Sequence, residues 1–339
     1  MRAVVWERPG EFRVGEVADP VPGPRELVVE VMACGICGTD LHIADGEFPP
    51  SPYPLIAGHE FAGVVVAAGP DVAGEWSEGD RVAVDPSLFC GYCAPCRAGR
   101  GNLCANWGAI GDTVDGAFAE YVAVPSANAY SIPESLGFEA AALIEPLSCA
   151  VHGIQRLGAV MGEDVLIVGA GTMGLLLGQL IRRGGARSLT FVDRKPARLD
   201  TALLLGATEV ASDVSDLGGR RFAVAIDASG APAAIESAFA SLARGGRLLV
   251  FGVTREDSSV EFSPFRIYND ELTILGSMAV LNSFGAAAQL MADNEIETTP
   301  LLGEPHPLGQ FAEALAQVRS GEGIKVQIAP GREGSRRRG

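Results

Sequence analysis

Two rhythms divide the chain. Over residues 1–140, short apolar or alternating runs recur at Arg2–Trp6, Leu27–Ala33, Gly63–Ala68, Arg81–Asp85 and Tyr121–Pro125, separated by Gly, Pro and Asp. Runs of this length bounded by turn formers predict an irregular, mainly β domain, with Pro20, Pro22 and Pro24 in loops. From residue 160 the pattern changes. Strand-like 165–168, 189–192, 222–226, 247–251 and 272–275 alternate with helical stretches at 172–183, 196–205 and 232–243. These strands are apolar on both faces, as a parallel sheet covered by helices on both sides requires, so the fold class is α/β with βαβ units. After residue 284 the character is mixed again, with helices expected over 284–292 and 308–319 and a strand over 325–328. The domain reading is 1–147, 148–285 and a return segment 286–339, with a separate lobe at 88–106.

The chain has 339 residues, 47% of them hydrophobic and 20% charged, which suits two packed domains and argues against disorder. The formal net charge of −16 repels phosphate backbones and anionic lipid, so neither nucleic acid nor a membrane surface is an expected partner. The basic end, Ser335–Gly339, reads as a solvated tail. No secretory signal pattern opens the chain. The nearest approach to an apolar span, 141–153, is interrupted by Glu145, Pro146 and His152, so a cytoplasmic protein is expected.

Composition changes the picture most at the cysteines. There are seven, and four of them, Cys90, Cys93, Cys96 and Cys104, are spaced C-x2-C-x2-C-x7-C. Thiolates this close can wrap one tetrahedral Zn²⁺ with no open position, a structural site; an iron–sulfur cluster is the competing reading. A second set is more dispersed: Cys37 in C-G-I-C-G-T-D, His59 and Glu60 in G-H-E, and Glu145 within an apolar run. Singly, each reads as a buried thiol, a core histidine or a paired carboxylate. A carboxylate in an apolar run is costly without a cation, partner or proton, and four mixed ligands, or three plus a water held by the fourth, suit a catalytic zinc. The cofactor signal is Gly169-Ala170-Gly171-Thr172-Met173-Gly174, directly after strand 165–168 and opening a helix, with Asp193 ending the next strand. Gly169 permits the turn, Gly171 lets a pyrophosphate approach, and Gly174 lets helix and strand close up. Asp193 accepts from ribose hydroxyls and repels a 2′-phosphate, which favours NAD; Arg194 beside it leaves NADP open.

In this order the motifs resemble the zinc-containing medium-chain dehydrogenase/reductase family, along essentially the whole chain. The run G-H-E-F-A-G-V-V-V-A-A-G from Gly58 to Gly69 carries much of the likeness, and I-E-P-L around Glu145 is similar to the polyol (sorbitol) and threonine dehydrogenase branch. The resemblance implies a Rossmann doubly wound domain inserted in a GroES-like catalytic domain and two Zn²⁺ per chain. It also implies a homo-oligomer, tetramer or dimer, for which the apolar stretch 271–281 is a candidate surface. It makes Cys37, His59 and Glu60 zinc ligands, Glu145 a fourth ligand or water holder, and Asp40 a residue near the metal. Thr39 becomes the hydroxyl that receives the substrate proton and His42 the outer relay base, histidine being the side chain that ordinarily titrates near neutrality. Gly252 and Val253 would lie near the nicotinamide, and Lys325 would approach the cofactor pyrophosphate.

The expected reaction is hydride transfer from a secondary alcohol to NAD. The alternative is an NADPH-dependent reductase of a small ketone. Sorbitol-type enzymes often carry an arginine where this chain has Ser277–Asn282, so a diol, a cyclitol or an amino-bearing alcohol stands beside a sugar alcohol as substrate. Phe48, Trp107 and Phe118 are candidates either for the pocket or for the core. His152 is read as near the cofactor or at a helix end, and His306 is given no role.

Overall fold

The computed structural model describes residues 1–47, 51–72, 74 and 76–333; Phe48 and the Ser335–Gly339 tail lie outside the described residues. The chain forms two compact units, Met1–Ser148 with Val280–Gly339, and Cys149–Ala279. Residues 280–285, read from sequence as part of the inserted domain, belong to the first unit.

The first unit begins with a hairpin, β1 (Arg2–Arg8) and β2 (Glu11–Glu16), turned at Gly10 with φ 77°. Strands β3 (Glu26–Ile36), β4 (Glu60–Ala68) and β5 (Arg81–Val84) pair in antiparallel sequence. Short β6 (Ser87–Leu88) and β7 (Gly108–Ala109) pair with each other and flank the four-cysteine lobe. Strand β8 (Tyr121–Pro125) pairs with β3, and β9 (Ala129–Ser131) with β5. The helices here are α1 (Gly38–Asp45), α2 (Ala94–Arg97), α3 (Phe138–Ala141) and α4 (Ile144–Leu157). The junction at Ser148 falls inside α4. His152, read as near the cofactor or at a helix end, sits within the helix rather than at its end.

The second unit is a six-stranded, all-parallel sheet: β10 (Asp164–Val168), β11 (Ser188–Val192), β12 (Glu209–Ala211), β13 (Phe222–Asp227), β14 (Leu242–Val250) and β15 (Thr273–Gly276). Their order in space is β12-β11-β10-β13-β14-β15. The order therefore reverses between β10 and β13, the crevice where doubly wound sheets bind dinucleotides. Helices α5 (Thr172–Arg183), α6 (Pro196–Leu204) and α7 (Pro232–Ala240) connect the strands, and α8 (Pro264–Asn269) precedes β15. Prolines open α6, α7 and α8 at positions where a helix has no amide to lose.

The chain then returns through α9 (Phe284–Ala292) and α10 (Phe311–Ser320) to β16 (Val326–Ile328), which pairs antiparallel with β3, Val326 opposite Ile36 and Gln327 opposite Gly35. This pairing ties both ends of the sequence into one sheet. Trp6, Phe118 and Phe311 fill the core beneath it, with Phe118 and Phe311 edge-on at 5.0 Å. Each such ring contributes about 1.5–3 kcal/mol by leaving water. Phe118 is thus a core side chain, fully buried. No helix among the described residues is long and apolar enough to cross a membrane.

Candidate active site

Strand pairing assembles the first metal set. Strand β3 runs out at Ile36, and Cys37 caps α1, its Sγ accepting from the Thr39 amide at 3.2 Å while Asp40 returns a carboxylate to the Cys37 amide at 2.8 Å. This reciprocal cap satisfies two of the helix's free amides and fixes where the thiol points. Gly35 of β3 lies opposite Glu60 of β4, so the residues just beyond that pair, Cys37 and His59, meet. Gly58 turns the chain into β4 at φ 100°, a left-handed conformation that favours glycine; a Cβ there would also crowd the Phe118 amide and Cys34 Sγ. His59 Nε2 then lies 3.1 Å from Cys37 Sγ. Glu145, in the first turn of α4, completes the group: His59, Glu60 and Glu145 are buried and offer ligand atoms all within 4.8 Å of one another.

Burial governs the charges here. It drives the Cys37 thiol up to about 11 and the Asp40 carboxyl up to about 6, in both cases against the nearby His59. Burial pulls His59 down, but Cys37, Asp112 and Asp40 outweigh it and leave the imidazole well above its ordinary range. Donors so crowded and desolvated fit a divalent cation, which would replace the thiol's proton and satisfy the carboxylates.

The Lys325 ammonium, 4% exposed, pairs with Glu60 and donates to the Ile36 carbonyl at 3.1 Å. A buried ammonium needs such a partner. Burial lowers its pKa, yet Glu60 and Cys37 together hold it above the usual lysine value. Gly35 leaves room for the pair, since a Cβ there would collide with Glu60 Oε2 and Lys325 Cε.

Asp112 is a site residue that the sequence reading missed. Its Oδ1 stands 3.1 Å from His59 Nδ1, whereas Asp40 Oδ1 is 3.9 Å away. Nothing local marks it, because its partner is remote in sequence. Thr39 and His42 lie on α1, half-buried, with His42 Nδ1 3.2 Å from Glu47 Oε2. Trp107 is half-buried beside the cysteine lobe, and His306 Nε2 contacts Gln317 Oε1 at 2.8 Å.

The four cysteines of the lobe converge as a second set within 4.8 Å, and all seven cysteines are free thiols. Cys104 Sγ lies 3.5 Å from Cys90 Sγ and 3.8 Å from Cys93 Sγ, and it accepts from the Cys90 and Asn106 amides, each at 3.3 Å. Burial raises Cys90, but the Tyr92 and Cys93 amides outweigh it and bring that thiol down to about 6. Amides aimed at sulfur are the support a thiolate-bound metal requires. Four thiolates would complete a tetrahedral metal there, with no position open for a substrate.

In the second unit Gly169 leaves β10 at φ 109°, and a Cβ on Gly174 would run into the Gly169 carbonyl oxygen. Helix α5 starts at Thr172 and Met173, directly after Gly171, and a helix N-terminus in this place suits phosphate oxygens. Asp193, past the end of β11, accepts from the Ala170 amide at 2.8 Å, which locks the turn to the next strand, and Arg198 Nη1 lies 4.0 Å from it. Arg194 follows on the surface. Gly252 and Val253 follow β14, Val253 exposed and the Gly252 amide bonded to the Asp227 carbonyl at 3.0 Å. His152 is buried, and burial, then Arg156, lowers its pKa.

Residues 23–134 match the alcohol dehydrogenase GroES-like domain and residues 172–293 the zinc-binding dehydrogenase domain. The chain is 33% identical to D-arabinitol dehydrogenase 1 of Uromyces fabae over 97% of both chains. It is 34% identical to L-threonine 3-dehydrogenase of Saccharopolyspora erythraea over 96% of this chain and 98% of that one. A protein from Sinorhizobium meliloti 1021, solved bound to NADP and described as a zinc-binding dehydrogenase, superposes with a TM-score of 0.93 at 37% identity, covering 97% of this chain and 99% of that one. An alcohol dehydrogenase from E. coli CFT073, solved with NADH, gives 0.88 at 30% identity over 97% and 99%. With both domains matched and relatives similar over nearly its full length, the chain belongs to the zinc-binding medium-chain dehydrogenase/reductase family, in its polyol and threonine dehydrogenase-like branch.

Proposed function

We propose that the chain oxidises a secondary alcohol, whether sugar alcohol, diol, cyclitol or amino alcohol, with NAD as hydride acceptor. The observation that carries this reading is that two groups share His59, one with Cys37 and Asp40 and one with Glu60 and Glu145, giving a mixed thiol, imidazole and carboxylate donor set unlike the all-cysteine lobe. A zinc ion held by that set would supply Lewis acidity to the alcohol oxygen, and bound NAD would accept the hydride.

The chain's own side chains handle the proton and the placement. Thr39, two residues beyond Cys37, takes the alcohol proton on its hydroxyl. His42, at i+3 from Thr39 and so on the same face of α1, receives it and passes it to solvent. Glu47 Oε2 stands 3.2 Å from its Nδ1. The Lys325 ion pair fixes Glu60. Gly169, Gly171 and the amides of Thr172 and Met173 cradle the pyrophosphate, while Asp193 binds the adenosine ribose and repels a 2′-phosphate. Arg198, near that carboxylate, and Arg194 are what would support the second reading, a reductase using NADPH.

Oligomerisation through β15 is supported by its open edge and by the exposed Ile274 and Met278. The test is NADH or NADPH formation with sorbitol, xylitol, butanediol, threonine, inositol and an aminocyclitol. Turnover of one class with NAD at least tenfold better than with NADP is expected. Ketone reduction confined to NADPH would favour the second reading, and no turnover in either direction would refute both.

A further inference from the structure

The resemblance gives Asp40 as the residue near the metal; we infer that Asp112 is the positioning residue that orients and polarises His59. The inference rests on the metal reading proposed above. His59 presents Nε2 to Cys37 Sγ at 3.1 Å, so Nδ1 faces the other way. On that side two carboxylates compete. Asp40 Oδ1 is 3.9 Å off, and its Oδ2 is already engaged by the Cys37 amide at 2.8 Å in the α1 cap. Asp112 Oδ1 is 3.1 Å off, and among the described residues neither it nor His59 Nδ1 has a hydrogen-bond partner.

The loop carrying Asp112 is keyed to the turn that carries His59. The Gly116 amide bonds the Ile56 carbonyl at 2.7 Å, the Ala117 amide the Gly58 carbonyl at 2.9 Å, and the Phe118 amide the Ala57 carbonyl at 2.9 Å. Gly111 and Gly116 pack so closely on Gly58 that a Cβ on either would strike its carbonyl oxygen. Asp112 also sits in a tight turn, its amide bonded to the Ala109 carbonyl at 3.1 Å. The loop thus holds the carboxylate beside Nδ1, where its charge favours the proton on that nitrogen, leaves the lone pair on Nε2 and strengthens Nε2 as a donor.

The test is Zn²⁺ affinity of the whole protein, measured by competition with a chromophoric chelator, together with the visible spectrum of the Co²⁺-substituted form. The four-cysteine metal serves as an internal folding control. Loss of such a partner typically weakens metal binding roughly 10–100-fold. Asp112→Ala is expected to weaken the second metal by that factor, to alter the Co²⁺ spectrum and to leave the four-cysteine metal in place. Asp112→Asn, which keeps an acceptor without the charge, should lie between it and wild type, and it decides the matter if the alanine variant does not fold. Wild-type affinity and spectrum in the variants, with the loss appearing instead in Asp40→Asn, would overturn the inference. A wild-type protein holding metal only at the four cysteines would overturn the functional reading itself.

Discussion

Replacing Lys325 by methionine keeps most of its volume and removes the one ammonium paired with Glu60. Both side chains are 3% exposed, so Glu60 would be left as a buried carboxylate without that counter-charge. Breaking a buried pair in this way costs about 3–5 kcal/mol, whereas replacing both partners by apolar groups of similar volume is often neutral. At about 2–4 °C per kcal/mol for a unit of this size, Lys325→Met should lower the thermal midpoint by roughly 6–20 °C. In protein stripped of metal, the double variant Lys325→Met with Glu60→Leu should recover most of the loss, because no charge of the pair is then stranded. The assay is thermal or urea unfolding of wild type, both single variants and the double, read as a double-mutant cycle. A Lys325→Met protein within about 1 kcal/mol of wild type, or a double variant no better than the worse single one, would refute this account of the pair.

Gly174→Ala should push the Gly169 carbonyl out of the phosphate turn and weaken NADH binding more than tenfold, read by fluorescence titration, with the first unit's metal unaffected. Cys96→Ser should reduce the metal content by one ion per chain and lower the thermal midpoint, while residual folded enzyme keeps its KM for the alcohol. Hydrogen bonds from Arg187 and Ser188 hold Asp164 down at about 2 against an ordinary 3.8. A carboxyl depressed in the folded state adds stability above its unfolded pKa and loses it as pH falls through the folded one. Asp164→Asn should therefore be less stable than wild type at pH 7, with the gap closing between about pH 4 and pH 2 in an acid unfolding series.

The parallel sheet was readable because its strands are apolar on both faces and each glycine, aspartate and proline that punctuates them has a backbone reason to be there. Gly169, Gly174 and Asp193 signal through such local geometry. What escaped was set by partners far along the chain. Helix α4 carries Glu145, Ser148, His152 and Gln155 at helical spacing, but Pro146 in its first turn looks like a breaker although a first turn tolerates it. Strand β2 alternates only over Phe12 and Val14, half-buried between Glu11, Arg13 and Glu16, too short a run to stand out. That Lys325 neighbours Glu60 shows only in the pairing of β16 with β3. Asp112 is visible only once its loop is laid on Gly58.

The central claim is that the mixed set around His59 holds the metal that makes alcohol oxidation possible. The most direct measurement is zinc content and NADH formation in Cys37→Ser beside wild type. The account predicts two ions per chain in wild type, and one in the folded variant with turnover lost. A variant that keeps wild-type turnover with only the four-cysteine ion bound would contradict it.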